Sequence, residues 1–204
     1  TGCDEGLFED ISSEIASMGV PGPDGESIAE DMENNGLEYH SGWDCCVPQI
    51  FWTYVVFYDP DAFPGEKPDS MADFFDVEKF PGKRGIHTWA TGIIEKAMVA
   101  DGVEPNAVPT VLEKQTGALD RAFAKLDTIK DHVVFWSAGS KPLELVSSGE
   151  VVMSLAYNGR VGAAILSEGK NFEYIWDGQV LEQEYLVVIK GSKNTAEAKE
   201  FVAH

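Results

Sequence analysis

Apolar positions change their period along the chain, and the changes mark out a series of alternating elements. In residues 6–18, Leu7, Ile11, Ile15 and Met18 recur at helical spacing and predict an amphipathic helix. Pro21 and Pro23 stop it in a loop over residues 19–25, and residues 26–35 read equally as a short acidic helix or a turn. Residues 47–58, rich in β-branched and aromatic side chains, predict a long buried strand that Asp59-Pro60-Asp61 ends. A helical turn is expected at residues 70–75, and a turn at residues 80–85 leads into a short strand at residues 86–87. Ile93, Ile94, Ala97 and Met98 set a helix over residues 92–101, closed by Gly102. Leu119, Ala122, Phe123 and Leu126 make a second helical stripe. Residues 133–136 predict a strand, after which Ser140 caps a helix with Pro142 in its first turn. A strand over residues 151–156, a short helix at 162–167, strands at 172–176 and 185–189, and a helix at 194–202 complete the series.

Strands that alternate with helices argue an α/β architecture. In open α/β sheets a ligand sits beyond the carboxyl ends of the strands, which singles out the segments after Trp136, after Ala156 and at residues 89–92. Trp52, Trp89, Trp136, Tyr157 and Trp176 all fall at the ends of predicted elements. Core packing is the ordinary role of such rings. At strand ends near a carboxylate, however, they suit stacking on an aliphatic or ammonium-bearing ligand.

Composition narrows the partners. The 204 residues are 44% apolar and 11% aromatic, enough for a real core. No apolar run approaches the roughly 18 residues of a membrane span. Thirty-five acidic residues stand against 15 basic ones, a net charge of -20, and the first Lys or Arg is Lys67. Such a field repels a phosphate backbone and argues against nucleic acid as a partner; it attracts small cations, and it also serves solubility alone. Cys3, Cys45 and Cys46 lack the spacing of a zinc site. Either Cys45 or Cys46 bridges Cys3, or all three are buried thiols. No nucleophile elbow, metalloprotease helix, phosphate loop or dinucleotide fingerprint occurs, so no cofactor is expected and the chain does not read as an enzyme. A thiol hydrolase on Cys45 or Cys46 lacks a visible activating partner among His40, His87, His132 and His204. Glu182 and Glu184, two apart, share a face if the segment is a strand, as a solvated edge or as an ammonium clamp.

Several segments, in order, resemble the spermidine/putrescine-type solute-binding family of ABC importers. They are Phe74-Phe75-Asp76-Val77-Glu78-Lys79-Phe80-Pro81-Gly82-Lys83-Arg84; Gly149-Glu150-Val151-Val152-Met153 with Ala156-Tyr157-Asn158-Gly159-Arg160; Trp176-Asp177-Gly178-Gln179; and Ile189-Lys190-Gly191-Ser192-Lys193-Asn194. The resemblance implies a periplasmic, two-lobed binding protein of type II architecture that delivers a polyamine-like ligand to membrane permease subunits. Family members are longer, so it further implies an incomplete first lobe, residues 1–58 with 185–204, and a second lobe at residues 59–184, with crossovers near residues 57–59 and 184–186.

Position by position, Tyr157 matches an aromatic residue laid against the ligand's methylene chain, Glu184 an aspartate that pairs with an amine, and Gln49 a polar contact with Trp52 nearby. Trp89 and Ser140, in the loops beyond strands, complete the expected ligand-binding set with Arg160. Two positions depart from polyamine binders: Glu182 stands where they have a tryptophan, and Arg160 where they have a small residue. An arginine beside the cleft either pairs with a carboxylate of an amino-acid-like ligand or forms a structural salt bridge. The resemblance also implies a Cys3 to Cys45 bridge, with Cys46 outside it.

Overall fold

The computed structural model describes residues 2–11, 14, 18, 25 and 44–203. The expected elements at residues 26–35, most of the loop before them, Ile15 and His40 lie outside the described residues. Two compact units divide the chain: residues 1–51 with 183–204, and residues 52–182.

In the unit of residues 52–182, the apolar run predicted at residues 47–58 is realised as β1 (Cys46–Tyr58), fully buried from residue 54 to residue 58. Its partners are β2 (Arg84–His87), β3 (Val133–Trp136), β4 (Met153–Tyr157) and β5 (Glu173–Val187). They lie in the order β3-β2-β4-β1-β5. Strand β2 runs parallel to β3 and β4, whereas β1 is antiparallel to β4, from Tyr54 opposite Tyr157 to Tyr58 opposite Met153. Parallel neighbours need helical crossovers. Between β2 and β3 run α2 (Ile93–Ala100), α3 (Val108–Lys114) and α4 (Ala118–Asp127), and between β3 and β4 runs α5 (Lys141–Ser147); α1 (Met71–Phe75) precedes β2 and α6 (Asn158–Glu168) follows β4. Val56, Phe57, Met71, Phe74, Ala97, Met98, Met153 and Leu155 form the centre of the core.

Helix starts follow local chemistry at α1 and α3 and depart from it at α5. Ser70 caps α1, accepting from the Asp73 N–H at 3.2 Å and donating to its carboxylate at 2.8 Å. Ser140 precedes α5 as expected, but its backbone is already helical and its side chain makes no cap bond. Helix α3, which the apolar pattern did not announce, begins with Pro109 in its first turn, where a missing N–H costs nothing. On α4, Ala118 and Ala122 are buried while Leu119 and Phe123 are exposed, so the expected stripe is rotated by about one residue. The two strands expected at residues 172–176 and 185–189 are one strand of 15 residues, β5.

Two charges are fully buried in this unit. The Lys96 ammonium donates to the carbonyls of Tyr54 (2.7 Å) and Gly178 (2.9 Å) and so ties α2 to β1 and β5. Burial lowers its pKa to about 7, against weaker support from Glu95 and Asp177. The unfolded chain holds that proton up to about 10.5, so between these values the unfolded state binds more protons and stability rises with pH. The gain is lost as pH falls through 7. Unfolding free energies measured from pH 7 to pH 10 should therefore climb with a slope approaching about 1.4 kcal/mol per unit that is absent in Lys96→Met. Equal slopes in both proteins would show that Lys96 is not the group responsible.

In the unit of residues 1–51 and 183–204, the helix expected from residue 6 is not formed over residues 6–11. Phe8 pairs with Ile189, the Glu9 N–H donates to Val188 O (2.8 Å) and the Lys190 N–H to Leu7 O (2.9 Å). Backbone pairing of an extended segment overrides the helical spacing of Leu7 and Ile11, and only Ile11 is buried, with Val47, Val188 and Ala203. Helix α7 (Thr195–Val202) packs Ala198 and Val202 on that cluster. Cys3 and Cys45 form a disulfide with Cα atoms 6.0 Å apart, which stabilises by about 2–4 kcal/mol. Cys46 is buried beside it, and burial pushes its thiol pKa up. All three sulfurs lie within 4.8 Å of one another, a convergence their sequence spacing hid, and the bridge occupies two of them.

Candidate functional site

The carboxyl ends of the three parallel strands converge on one region of the second unit. Strand β2 ends at His87 and feeds the loop that carries Trp89, Thr91 and Gly92. Strand β3 ends at Trp136, and β4 ends at Tyr157, where α6 begins. The antiparallel register of β1 sets Tyr54 directly opposite Tyr157, and Trp52, two residues away, shares the Tyr54 face. On β5, Val180 and Glu182 share a face by the same period.

These side chains line a cavity of about 220 Å³ formed by Trp52, Tyr54, Trp89, Thr91, Gly92, Tyr157, Val180 and Glu182. Its aromatic walls brace one another. The Trp52 ring meets Tyr157 edge-on at 5.1 Å, and Tyr54 lies 5.4 Å from Tyr157. Thr53, pointing the other way, is held by its N–H to the Asn158 side chain at 3.0 Å, which fixes β1 against the start of α6. Gly92 has φ 83°, and a Cβ there would strike the Tyr54 ring, so the loop closes against the cavity only with glycine. Burial, and secondarily Tyr157, push the Tyr54 phenol far above its ordinary range and keep it neutral. The Trp52 Nε1 and Tyr54 hydroxyl are buried with no hydrogen-bond partner among the described residues.

Of the residues expected at a ligand site, Trp52, Trp89 and Tyr157 come together in this cavity. Arg160, in the first turn of α6, is exposed and lies over Gly139: a Cβ on Gly139 would sit 2.9 Å from Arg160 Nε and 3.3 Å from the Tyr157 ring. Its guanidinium is thus beside Tyr157 and makes no salt bridge among the described residues, so the structural-ion-pair expectation has no support there. Ser140 is exposed at the start of α5 and is not among the cavity-lining residues. Gln49 on β1 and Glu184 on β5 are exposed and belong to the other unit. Thr91 and Gly92 fall in the segment of residues 89–92 that the strand-end rule singled out; Tyr54 and Val180 were not expected, since a tyrosine inside an apolar strand carries no signal that separates a cavity wall from the core.

The sheet carries an aromatic cavity at its strand ends, and comparison with known proteins shows the family. The profile of the bacterial extracellular solute-binding protein family matches residues 1–204, and the chain belongs to that family. It is 39% identical over 202 residues to a gamma-aminobutyric acid-binding protein of Pseudomonas aeruginosa, covering 99% of this chain and 52% of that protein. Among solved structures it is similar to an ABC transporter substrate-binding protein from Bradyrhizobium japonicum (30% identity, TM-score 0.78, 99% of this chain and 56% of that one). It is also similar to a GABA receptor (32% identity, TM-score 0.74, 98% and 55%). The chain thus spans about half the length of these relatives. A spermidine/putrescine transporter's substrate-binding protein from Streptococcus pneumoniae is 16% identical with a TM-score of 0.70, a likeness of fold alone. The expected α/β fold of periplasmic binding proteins is therefore present, and the polyamine branch is a distant one.

Proposed function

We propose that the protein is the extracytoplasmic substrate-binding receptor of an ABC importer and that its ligand is a small ω-amino acid, with γ-aminobutyrate the leading candidate. The observation that carries this reading is the pairing of opposite charges with an aromatic cavity: Arg160 beside Tyr157, and Glu182 on the lining. A zwitterion satisfies both. Its carboxylate accepts from the Arg160 fork, and its ammonium lies against the rings of Trp52, Trp89 and Tyr157 toward Glu182. The buried Trp52 Nε1 and Tyr54 hydroxyl offer further donors to a carboxylate oxygen. A cavity of about 220 Å³ is smaller than the roughly 300–1,000 Å³ of drug-sized sites, in keeping with a solute of few heavy atoms. The relatives named for γ-aminobutyrate support the same ligand class, and the Cys3 to Cys45 bridge suits an oxidising, extracytoplasmic compartment.

A diamine such as putrescine fits less well, because one of its ammonium groups would meet the like charge of Arg160. In this reading the receptor presents its bound ligand to permease subunits of the importer. Calorimetric titration with γ-aminobutyrate, putrescine and spermidine tests the ligand class. The expected result is binding of γ-aminobutyrate at micromolar or lower Kd, stronger than either polyamine. Preferential binding of putrescine would return the site to the polyamine class.

A further inference from the structure

His87 lies at the end of β2, buried, and its ring sits between two tryptophans, tilted against Trp89 at 4.4 Å and edge-on to Trp136 at 4.5 Å. Nδ1 accepts from the Trp89 backbone N–H at 2.9 Å. Only an imidazole without a proton on Nδ1 can do so, since a protonated Nδ1 is a donor facing a donor. Trp89 is itself 64% exposed and stands as one wall of the cavity, so its neighbours along the loop give its ring little side-on support. The bond from its N–H to His87 is a turn of the kind asparagine usually makes to a residue two positions on.

We propose that His87 is a positioning residue of the ligand cavity: neutral, it pins Trp89 against the site, and protonation at Nδ1 releases Trp89 and weakens ligand binding. The inference rests on reading the cavity as the ligand site. The charged groups nearest His87 leave this bond to govern its titration. Asp127 at the end of α4 and Lys130 share with it the cavity on the far side of Trp89 and are paired to each other at 3.5 Å. Glu95, in the first turn of α2, is turned onto the Gly92 N–H at 2.8 Å. From β1 and β4 the nearby rings are the tyrosines Tyr54 and Tyr157, which stand behind Trp136. Burial lowers the His87 pKa, opposed more weakly by a hydrogen bond with the Ser137 backbone, so the neutral ring prevails at pH 7 and is lost on acidification below the ordinary histidine range.

The test uses the wild type, His87→Asn and His87→Phe. Asparagine keeps an acceptor for the Trp89 N–H but does not titrate; phenylalanine keeps a ring and removes the acceptor. In ligand-free wild type, the Trp89 backbone amide resonance should shift on acidification below about pH 6.5, together with the His87 ring resonance. In His87→Asn it should not move. With γ-aminobutyrate as probe, wild-type affinity should fall about tenfold across that titration, His87→Asn should lose that component, and His87→Phe should bind about tenfold more weakly already at neutral pH. His87→Asn retains Arg160 and Glu182, so any pH dependence they contribute remains in it. A Trp89 amide that ignores the His87 titration, or one that titrates equally in His87→Asn, overturns the proposal. If γ-aminobutyrate binds at no pH, the ligand reading fails, while the Trp89 amide of the ligand-free protein still decides the role of His87.

Discussion

Replacing Arg160 with alanine is expected to weaken γ-aminobutyrate binding by about 100-fold and to leave the stability of the protein within about 0.5 kcal/mol of wild type. The asymmetry follows from where the side chain lies. It is exposed, it rests on Gly139 beside Tyr157, and it takes part in no ion pair among the described residues, so little of the fold depends on it. A ligand carboxylate, by contrast, would lose a two-pronged, charge-assisted contact. Arg160→Lys should fall between, at about a tenfold loss, because an ammonium keeps the charge but not the planar fork. Putrescine gives the opposite sign: removal of a like charge should leave any diamine binding unchanged or stronger. Calorimetry on the three proteins with both ligands separates the two ligand classes. Unchanged γ-aminobutyrate affinity in Arg160→Ala would remove the carboxylate from this position.

Much of the cavity was visible in the sequence because the strand-end rule needs only the strands. Trp89 follows β2, Tyr157 ends β4, and Trp52 lies two positions before the fully buried stretch of β1. The same signal overreached at Trp136, which is core, and at Trp176, which is exposed on β5 and stacks on Tyr174 at 4.6 Å. An aromatic at an element's end says nothing about which face it takes. Strand β5 looked like two strands because Asp177 and Gly178 interrupt its apolar pattern; Gly178, at φ 61°, absorbs the irregularity and the strand continues. The Asp177 carboxylate accepts the Met71 N–H of α1 at 2.7 Å, a contact 106 positions away that no local pattern reports. Residues 6–11 failed for a related reason: Leu7 and Glu9 bond to residues 188–190 and Ile11 to Asp44, and pairing at that distance leaves no trace in helical spacing. The two positions that departed from polyamine binders, Glu182 and Arg160, were the informative ones, since both lie at or beside the cavity.

Arg84→Met should cost about 3–5 kcal/mol of stability, a larger effect than any change at the cavity wall. Arg84 belongs to the stretch through which the family resemblance was first drawn, and its side chain accounts for that stretch physically. The guanidinium is fully buried and donates to four carbonyls: Phe74 (2.7 Å), Gly82 (2.9 Å), Asp76 (3.2 Å) and Phe80 (2.7 Å). The chain from α1 to β2 is wrapped around this one cation, and the buried carbonyls of a turn have no ladder to bond to. Burial lowers the Arg84 pKa to about 10, with Asp76 opposing, so the group is still charged at neutral pH and every one of the four bonds is charge-assisted. Methionine fills part of the volume and leaves the carbonyls of Phe74, Gly82 and Phe80 without this donor, while that of Asp76 keeps the Phe80 N–H at 3.1 Å. Lysine keeps a charge but presents a point where the loop is shaped to a fork, so Arg84→Lys should recover less than half of the loss. Because Arg84 opens β2, and β2 ends at His87, a loosened wrap should also lower γ-aminobutyrate affinity in proportion to lost structure rather than at constant fold. Urea unfolding of the three proteins, with affinity measured on the folded fraction, checks both statements. A loss under about 1 kcal/mol in Arg84→Met would mean that the loop finds other donors for those carbonyls.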